Sequence, residues 1–322
     1  MVQSFSANVK EELFHQPEQA RHCSIAEIAA MISMCGQLSE ADDGRKLEIR
    51  TENNAAARKY FTLLKKTFNI SSIMSSGYLP NRKKNRIYIL TVAGEEQISR
   101  VLETCRLSVQ EGSLSLADEL VIQRECCKRA FLRGAFLASG SVSDPVKTYH
   151  FEIVCASGQK AELLRDMLSH FEIAARVIRR KQHLVVYIKD STQVMDVLGL
   201  MGATDSMMKM QNVQILKSIR NQANRSVNCD TANIRKALSA AKRQISDIRL
   251  LQEAGILEEL PESLREIAQL RVTFPEATLA DLGEMLDEPV GKSGVNHRLQ
   301  KIAKIAEKWK TEKAPPSDNT ER

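Results

Sequence analysis

Two apolar stretches, about a hundred residues apart, share one pattern of small and hydrophobic residues at helical spacing that stops at a glycine. The first is Glu27–Gly36 and the second is Phe131–Gly140. Similar alternating and amphipathic segments follow each stretch. They predict the order helix, two strands, helix, two strands, helix in both copies, over about residues 23–106 and 124–202. Because an internal duplication decides the architecture, we expect one α+β domain built from both copies.

The two glycine-terminated helices are predicted to pack against each other. Ser24 and Glu27 fit a capping box that opens the first helix. Small residues that would let two backbones approach closely occur in both helices: Ala26, Ala29, Ala30, Gly134, Ala135 and Ala138. We expect the strands of both copies to form one saddle-shaped antiparallel sheet with the helices on its back.

From residue 207 the pattern changes to amphipathic helices with a basic bias. The segment from Lys209 to Arg249 contains nine basic residues and only two acids. We expect two helices here, separated near Asn224–Asp230. Such a face is either simply solvated or contacts phosphates, and so one-sided a charge favours phosphate contact. The candidates for secondary DNA contacts in this segment are Arg235, Lys236, Lys242 and Arg243.

The C-terminal pattern predicts a short helix, a turn and a second helix. Thr278 is placed to cap Leu279–Leu286. Glu288–Gly294 cannot continue a helix because it contains one proline and two glycines. Ser293 would then cap the last helix. With its polar, basic outer face, this order is typical of a helix-turn-helix over about Pro275–Lys308, and a plain three-helix packing unit is the alternative.

Charge is segregated between these C-terminal helices, which favours DNA as the partner. Acids dominate Glu262–Glu288, whereas bases dominate Lys292–Lys310. Asparagine can read adenine and arginine can read guanine, and the amides of a helix N-terminus beside a lysine can hold a phosphate. The candidate DNA-binding residues are Thr278, Lys292, Ser293, Asn296, His297, Arg298, Lys301 and Lys304.

Composition narrows the class of protein. The 322 residues suffice for two domains, and a net charge of +6 permits a polyanionic partner without requiring one. The seven cysteines form no Cys-x-x-Cys pair, and no histidine spacing beside them suggests zinc, so we expect no metal site and buried or free thiols in a reducing cytoplasm. We also expect no cofactor. Cys126–Cys127 is assigned to helix packing. No apolar run reaches the ~18 residues of a membrane span, and the N-terminus lacks the apolar core of a signal peptide.

The paired helices resemble the two LAGLIDADG helices of monomeric homing endonucleases. In that family the helices pack at a pseudo-twofold axis, and the eighth residue of each motif is an acid that holds Mg²⁺. When the motif is aligned with Ile28–Gly36 and with Leu132–Gly140, its eighth position falls on Cys35 and on Ser139. A thiol and a hydroxyl cannot replace carboxylates around a hard cation, so the resemblance implies a retained fold without catalytic residues. An active nuclease would have to use the acids nearby: Asp42, Asp43 and Asp144.

Longer strings resemble the WhiA family of bacterial regulators. The likeness is carried by the opening Phe5–Leu13, by Asn224–Asn233 and by Leu282–Arg298, and it covers nearly the whole chain. It implies a DNA-binding protein that acts in sporulation control in some bacteria, and in cell division and chromosome segregation in others. The fold it implies is a duplicated αββαββα LAGLIDADG-like saddle domain followed by an all-α helix-turn-helix domain.

These inferences combine into one domain plan. It consists of an N-terminal helix (1–22), the LAGLIDADG-like domain (23–206), a basic helical linker (207–250), the helix-turn-helix domain (251–311) and a disordered tail (312–322). The leading hypothesis is a non-enzymatic, sequence-specific DNA-binding transcription regulator that is cytoplasmic and nucleoid-associated. The alternatives are an architectural protein that binds DNA without sequence preference, and a residual endonuclease.

The duplicated domain has three candidate tasks: scaffold, second DNA surface, or platform for another transcription or division protein. A basic hairpin turn, Pro80–Arg86, contains further candidates for DNA contact, and a solvated loop tip is the alternative there. Those candidates are Arg82, Lys83 and Lys84. Because the strands otherwise offer few bases, we expect the sheet to contribute less to DNA binding than the helix-turn-helix.

Overall fold

Residues 21–201 contain the same order of helices and strands twice, as the sequence pattern predicts. The computed structural model describes residues 3–17, 20–41, 44–79, 82–110, 113–116 and 119–313. A short helix, α1 (Phe5–Phe14), precedes both repeats. The first repeat comprises α2 (Arg21–Cys35), β1 (Gly36–Ala41), β2 (Gly44–Thr51), α3 (Asn54–Phe68), β3 (Ile73–Leu79), β4 (Arg82–Ala93) and α4 (Glu95–Thr104).

A connection that the sequence did not predict joins the two repeats. It consists of the hairpin β5 (Leu107–Gln110) and β6 (Ser113–Leu116), followed by a 3-10 helix (Glu119–Ile122). The second repeat comprises α5 (Glu125–Ser139), β7 (Gly140–Val142), β8 (Phe151–Cys155), α6 (Gly158–His170), β9 (Arg176–Arg180), β10 (His183–Ile188) and α7 (Ser191–Met201). Its second hairpin turns at Lys181, as expected, and this residue has a left-handed φ of 56°.

Each repeat forms its own four-stranded antiparallel sheet, so the expectation of one sheet across both repeats is wrong for the described strands. The strand orders are β1-β2-β4-β3 and β7-β8-β10-β9. The chain passes from α2 into β1, and from α5 into β7, without a loop. Glycine permits this transition, because a Cβ at Gly36 would lie 2.5 Å from the Ile32 oxygen and a Cβ at Gly140 would lie 2.7 Å from Phe136 Cα. Each central helix therefore feeds a separate sheet.

α2 and α5 lie against each other along buried small residues, which confirms the predicted close approach. A Cβ on Gly134 would overlap the Glu27 carbonyl group and would lie 2.9 Å from Ala30 Cβ, so only glycine permits this separation. Ala29 and Ala135 are fully buried beside this contact. Because protein interiors are close-packed, the side-chain sizes here set the distance between the two repeats.

A buried ion pair joins the same two helices. Arg133 Nε donates to Glu27 Oε2 at 2.9 Å, and Arg133 Nη1 donates to the Met201 oxygen at the end of α7, also at 2.9 Å. The Arg133 side chain is 6 % exposed and the Glu27 side chain 1 %. The predicted capping box of Ser24 and Glu27 is wrong, since α2 begins at Arg21 and the Glu27 carboxylate binds Arg133 instead of a helix amide.

A single helix of 50 residues, α8 (Thr204–Glu253), follows the second repeat. The chain divides into two compact units, Met1–Ser218 and Ile219–Arg322, and α8 continues from the first into the second. The predicted break at Asn224–Asp230 is wrong. Residues 204–253 contain neither proline nor glycine, and polar residues by themselves lower helix propensity too little to end a helix. The segment predicted as a basic linker, residues 207–250, lies wholly within α8.

The C-terminal unit has its own hydrophobic core. After α8 come a 3-10 helix (Leu257–Glu259), α9 (Glu262–Thr273), α10 (Leu279–Glu284) and α11 (Lys292–Lys313). Ile248 and Leu251 of α8 belong to this core, and Trp309 packs against it. α11 extends two residues into the predicted disordered tail, and residues 314–322 lie outside the described residues. None of the helices in the described ranges is both long and apolar enough to cross a bilayer.

Replacing Gly134 with alanine should push α2 and α5 apart, because the new Cβ would overlap the Glu27 carbonyl group. We expect the free energy of unfolding to fall by about 2–3 kcal/mol, a typical cost of overpacking. Urea denaturation measures this loss. Gly158→Ala is the matched control, since the atom nearest to a Cβ there is Leu184 Cδ1 at 3.9 Å. Equal losses in both variants would contradict the close-approach argument.

Arg133→Met should lower the free energy of unfolding by about 3–5 kcal/mol, because it leaves the Glu27 carboxylate buried without its counter-ion. The double variant Glu27→Met/Arg133→Met should recover part of this loss, since no charge then stays buried. Urea denaturation of all four proteins completes a double-mutant cycle. Additive losses from the two single substitutions would show that the two side chains act independently.

Candidate nucleic-acid interface

Caps and one close backbone contact hold α10 and α11 in a helix-turn-helix. Thr278 Oγ1 accepts from the Asp281 amide at 3.2 Å, and Asp281 Oδ2 accepts from the Thr278 amide at 2.9 Å, so the predicted cap is a full capping box. At the other end of α10, the Val290 amide donates to the Gly283 oxygen at 3.1 Å. A Cβ on Gly283 would overlap the Val290 carbonyl group. Glycine therefore lets the turn fold back onto α10 and sets where α11 begins.

α11 separates a core face from an outer face, as its spacing predicts. Val295, Leu299, Ile302 and Ala306 are buried in the C-terminal core. Arg298 is half-buried at the border of this face. The other candidate DNA-binding residues beyond the first turn of α11 are exposed: Asn296, His297, Lys301 and Lys304. The polar and basic side chains of α11 thus form a continuous surface opposite the core.

The first turn of α11 differs from expectation in one respect. The helix begins at Lys292, and the Gly291 oxygen accepts from the Gly294 and Val295 amides, so Ser293 is the second helical residue and not the cap. Lys292 and Ser293 are both exposed. The first amides of any helix lack intrahelical acceptors. A phosphate placed here would meet these amides and a cationic side chain together.

Arg271 is a structural residue that the sequence reasoning counted only as a surface charge. It is 2 % exposed. Its Nη1 donates to the Ala277 oxygen at 2.8 Å and lies 3.5 Å from the Pro275 oxygen. The guanidinium therefore closes the turn between α9 and α10 and fixes the position at which Thr278 starts α10. The available signal was an arginine placed in the last turn of α9, directly before that turn.

α8 carries a second basic surface in the same unit. The four predicted residues of this surface are all exposed: Arg235, Lys236, Lys242 and Arg243. Of the two acids in this segment, Asp247 accepts a hydrogen bond from Lys310 Nζ of α11 at 2.7 Å. This ion pair neutralises one of the negative charges near the basic surface and connects α8 to α11.

Two arginines of the sheets, Arg50 and Arg180, are paired with acids. In β2, Arg50 Nη2 lies 2.8 Å from Glu48 Oε2. In the second sheet, Arg180 Nη1 lies 3.5 Å from Glu152 Oε2, and His150 Nε2 lies 3.1 Å from the same oxygen. Glu48 and Glu152 occupy equivalent positions in the two repeats. Each acid lowers the positive potential around its arginine.

The remaining candidate residues of the duplicated domain are those of the basic turn and three acids near the motif helices. The backbone at Arg82 already belongs to β4, so the predicted basic turn is shorter than expected, and the side chains of Arg82, Lys83 and Lys84 lie outside the described part of the structure. Asp42 and Asp43 also lie outside the described residues. Asp144 is exposed, and its Oδ1 accepts from the Val146 amide at 2.9 Å in a turn.

The residues at the positions of the nuclease acids hydrogen-bond to their own helices. Cys35 Sγ donates to the Met31 oxygen at 3.1 Å, and Ser139 Oγ donates to the Ala135 oxygen at 3.5 Å. Burial raises the pKa of the Cys35 thiol to about 12, so the thiol stays neutral near pH 7. Neither group offers the carboxylate oxygens that Mg²⁺ requires.

Two buried lysines, which the sequence reasoning missed, bind the C-terminal ends of the same helices. Lys160 Nζ donates to the Ser33 oxygen at 2.6 Å, and Lys10 Nζ donates to the Leu137 oxygen at 3.2 Å. Ser33 and Leu137 lie at equivalent places in the two motifs, two residues before Cys35 and Ser139. Cations interact favourably with the C-terminal end of a helix dipole. The C-terminal ends of both central helices, beside Cys35 and Ser139, therefore carry buried lysine amino groups.

Sequence models of three domains of one protein family match this chain. They describe a WhiA N-terminal LAGLIDADG-like domain over residues 21–108, a WhiA LAGLIDADG-like domain over residues 128–220 and a WhiA C-terminal HTH domain over residues 223–306. The chain belongs to the WhiA family. The first two domains coincide with the two repeats, and the third contains most of α8 and the helix-turn-helix.

Relatives of this family match the chain over almost their whole length. A Lachnoclostridium phytofermentans protein named "Probable cell division protein WhiA" is 46 % identical over 308 residues, which is 94 % of this chain and 98 % of that protein. The protein of the same name from Clostridium beijerinckii is 42 % identical over 314 residues, or 96 % and 100 % of the two chains. The crystal structure of full-length DUF199/WhiA from Thermatoga maritima has a TM-score of 0.59 at 27 % identity and covers 95 % of this chain and 99 % of that one.

The buried Lys10 should make stability depend on pH in an identifiable way. Burial lowers the pKa of Lys10 from 10.5 to about 8, so between these values the unfolded chain binds more protons at this residue than the folded chain does. The contribution of Lys10 to stability therefore rises with pH in that window. The quantity to follow is the free energy of unfolding of the wild type minus that of the Lys10→Met variant. It should increase by about 2 kcal/mol from about pH 8 to about pH 10, because one pKa unit is ~1.4 kcal/mol.

Urea denaturation of both proteins at each pH measures this difference. The Cys35 thiol acts in the opposite direction, since burial raises its pKa to about 12, but it is present in both proteins and largely cancels. A difference that stays constant or falls as pH rises would show that burial does not lower the pKa of Lys10 in the folded protein.

Proposed function

We propose that the protein is a non-enzymatic, sequence-specific DNA-binding transcription regulator that acts in cell division, chromosome segregation or sporulation. The observation that carries this proposal is the outer face of α11, which combines exposed polar and basic side chains with a fixed helix-turn-helix geometry. Recognition helices of this motif enter the major groove and read bases from their N-terminal turns. The cell-division role rests on the names of the relatives, "Probable cell division protein WhiA".

Each part of the α11 face has a task in this proposal. Asn296 and Arg298, within the first two turns, read adenine and guanine at base edges. Lys301 and Lys304, further along the same face, contact phosphates, as does His297. Lys292 and Ser293 hold a phosphate at the N-terminus of the helix. Thr278 is exposed at the N-terminus of α10, where its hydroxyl caps the helix and can also meet a backbone phosphate.

The proposal assigns no catalysis to the duplicated domain. Cleavage by two metal ions needs carboxylates that hold the cations at the scissile phosphate. Cys35 and Ser139 hydrogen-bond to their own helices, and Lys10 and Lys160 place positive charge at the ends of those helices. These groups favour a scaffold over a nuclease.

The duplicated domain instead serves as a rigid platform for another transcription or division protein. Its sheets contain the ion pairs Arg50–Glu48 and Arg180–Glu152, and such mixed charge can support protein recognition. The partner in the C-terminal unit is double-stranded DNA, which places the protein in the cytoplasm on the nucleoid. The four exposed bases of α8 add sequence-independent phosphate contacts there.

A second candidate function, an architectural protein without sequence preference, is favoured by the basic surface of α8. That surface offers Arg235, Lys236, Lys242 and Arg243 at exposed positions on a helix of 50 residues. Such a surface binds phosphates and carries no sequence information. The two candidates differ in which basic surface binding requires.

Arg298→Ala should weaken binding to preferred genomic fragments by about 1–3 kcal/mol while leaving non-specific binding nearly unchanged, because a base contact is lost. Lys301→Ala should weaken binding to all fragments alike and reduce the salt slope by about one. Both are measured by salt-titrated binding of the purified full chain. Lys308→Ala is the matched control on the same helix, since Lys308 is 79 % exposed and lies 3.8 Å from Glu312.

The quadruple variant Arg235→Ala/Lys236→Ala/Lys242→Ala/Arg243→Ala distinguishes the two candidates. If it abolishes binding while Arg298→Ala keeps both affinity and preference, the architectural function replaces the regulator. The triple variant Arg82→Ala/Lys83→Ala/Lys84→Ala tests, in the same assay, whether the LAGLIDADG-like domain binds DNA. A loss of binding there, with the α11 variants unaffected, would move the DNA site to the duplicated domain.

A further inference from the structure

Four metal-ligating side chains meet where the N-terminal ends of α2 and α5 lie side by side. His22 Nδ1 lies 3.2 Å from Cys127 Sγ, 3.3 Å from Cys23 Sγ and 4.0 Å from Cys126 Sγ. All four ligand atoms lie within 4.8 Å of one another. The DNA-binding proposal does not use these residues.

The internal duplication explains how the four side chains come together. The two motifs end at Gly36 and Gly140, an offset of 104 residues, and the same offset relates His22 to Cys126 and Cys23 to Cys127. Each pair forms the second and third residues of its helix. Since α2 and α5 pack closely along small residues, equivalent positions near their ends become neighbours.

The spacing fits a single tetrahedral zinc ion. Zinc bonds of about 2.3 Å to sulfur and about 2.0–2.1 Å to imidazole nitrogen, at tetrahedral angles, place the ligand atoms about 3.6–3.8 Å apart. The three distances from His22 Nδ1 bracket this value. Three thiolates and one imidazole form a complete ligand set for structural zinc, which leaves no open position for catalysis.

The surroundings suit thiolate ligands. All three cysteines of the cluster lie in the first turn of a helix, where the dipole favours negative charge. Cys126 is exposed, so an ion can reach the cluster from solvent.

We propose that His22, Cys23, Cys126 and Cys127 bind one Zn²⁺ ion that joins the two repeats at the N-terminal ends of their central helices. Binding displaces the thiol protons and forms three Zn–S bonds and one Zn–N bond, with no change of oxidation state. The site lies at the opposite ends of α2 and α5 from Cys35 and Ser139, so it is separate from the region that corresponds to the nuclease centre. Its task is structural: it cross-links the two repeats.

Metal analysis of the full chain tests the proposal. The protein is expressed with zinc in the medium, purified under reducing conditions with a tag that lacks histidine, and analysed by mass spectrometry of the elements. We expect about one Zn²⁺ per chain, as for other four-ligand structural sites. Cys126→Ser should lose most of this zinc and still fold, because Cys126 is exposed. Cys229→Ser is the matched control, since Cys229 is also exposed and lies in α8, and it should keep its zinc.

Two further readouts separate a built site from adventitious metal. Co²⁺ added to the zinc-free wild-type chain should give the visible absorption of tetrahedral thiolate coordination, and Cys126→Ser should weaken Co²⁺ affinity by more than about tenfold, as losing a ligand requires. A zinc chelator should lower the Tm of wild type and of Cys229→Ser but not that of Cys126→Ser. Three results would each overturn the proposal. The wild-type chain could contain no zinc and fail to give the Co²⁺ spectrum, or both serine variants could lose zinc equally. The third is a disulfide among Cys23, Cys126 and Cys127 under these reducing conditions.

Discussion

The close packing of α2 against α5 is the constraint on which the duplicated domain depends. A Cβ at Gly134 would overlap the Glu27 carbonyl group, and the Glu27–Arg133 pair is buried, so solvent screens the attraction between its charges little. Each helix runs directly into its own sheet through a glycine. The position of both sheets is therefore set by a contact between backbones at the centre of the domain.

The two ends of this helix pair have opposite chemistry. At the C-terminal ends, the amino groups of Lys10 and Lys160 hydrogen-bond to carbonyl oxygens of the two helices. At the N-terminal ends, three thiols and an imidazole converge on one point. Helix dipoles favour cations at the first location and thiolates at the second.

The C-terminal unit depends on local interactions instead. The capping box of Thr278 and Asp281, the contact of Gly283 with Val290 and the apolar spacing of α11 all connect residues close in sequence. Such features are readable from a single sequence, and the helix-turn-helix was predicted with its buried and outer faces in the right place. The errors in helix bounds there concern the end of α10, the start of α11 and the continuity of α8, because helix ends depend on small propensity differences.

The sequence by itself determined the repeat, the order of its elements, the small-residue contact between central helices and the two faces of α11, because these follow from periodicity and side-chain size. Only the tertiary structure decided how residues distant in sequence combine. Glu27 was interpreted as a cap until Arg133 was placed beside it. His22, Cys23, Cys126 and Cys127 show no ligand spacing along the chain, and their convergence required the packing of two helices 104 residues apart. Local sequence patterns indicate which face of a helix or strand is buried, but tertiary packing decides which residues contact that face.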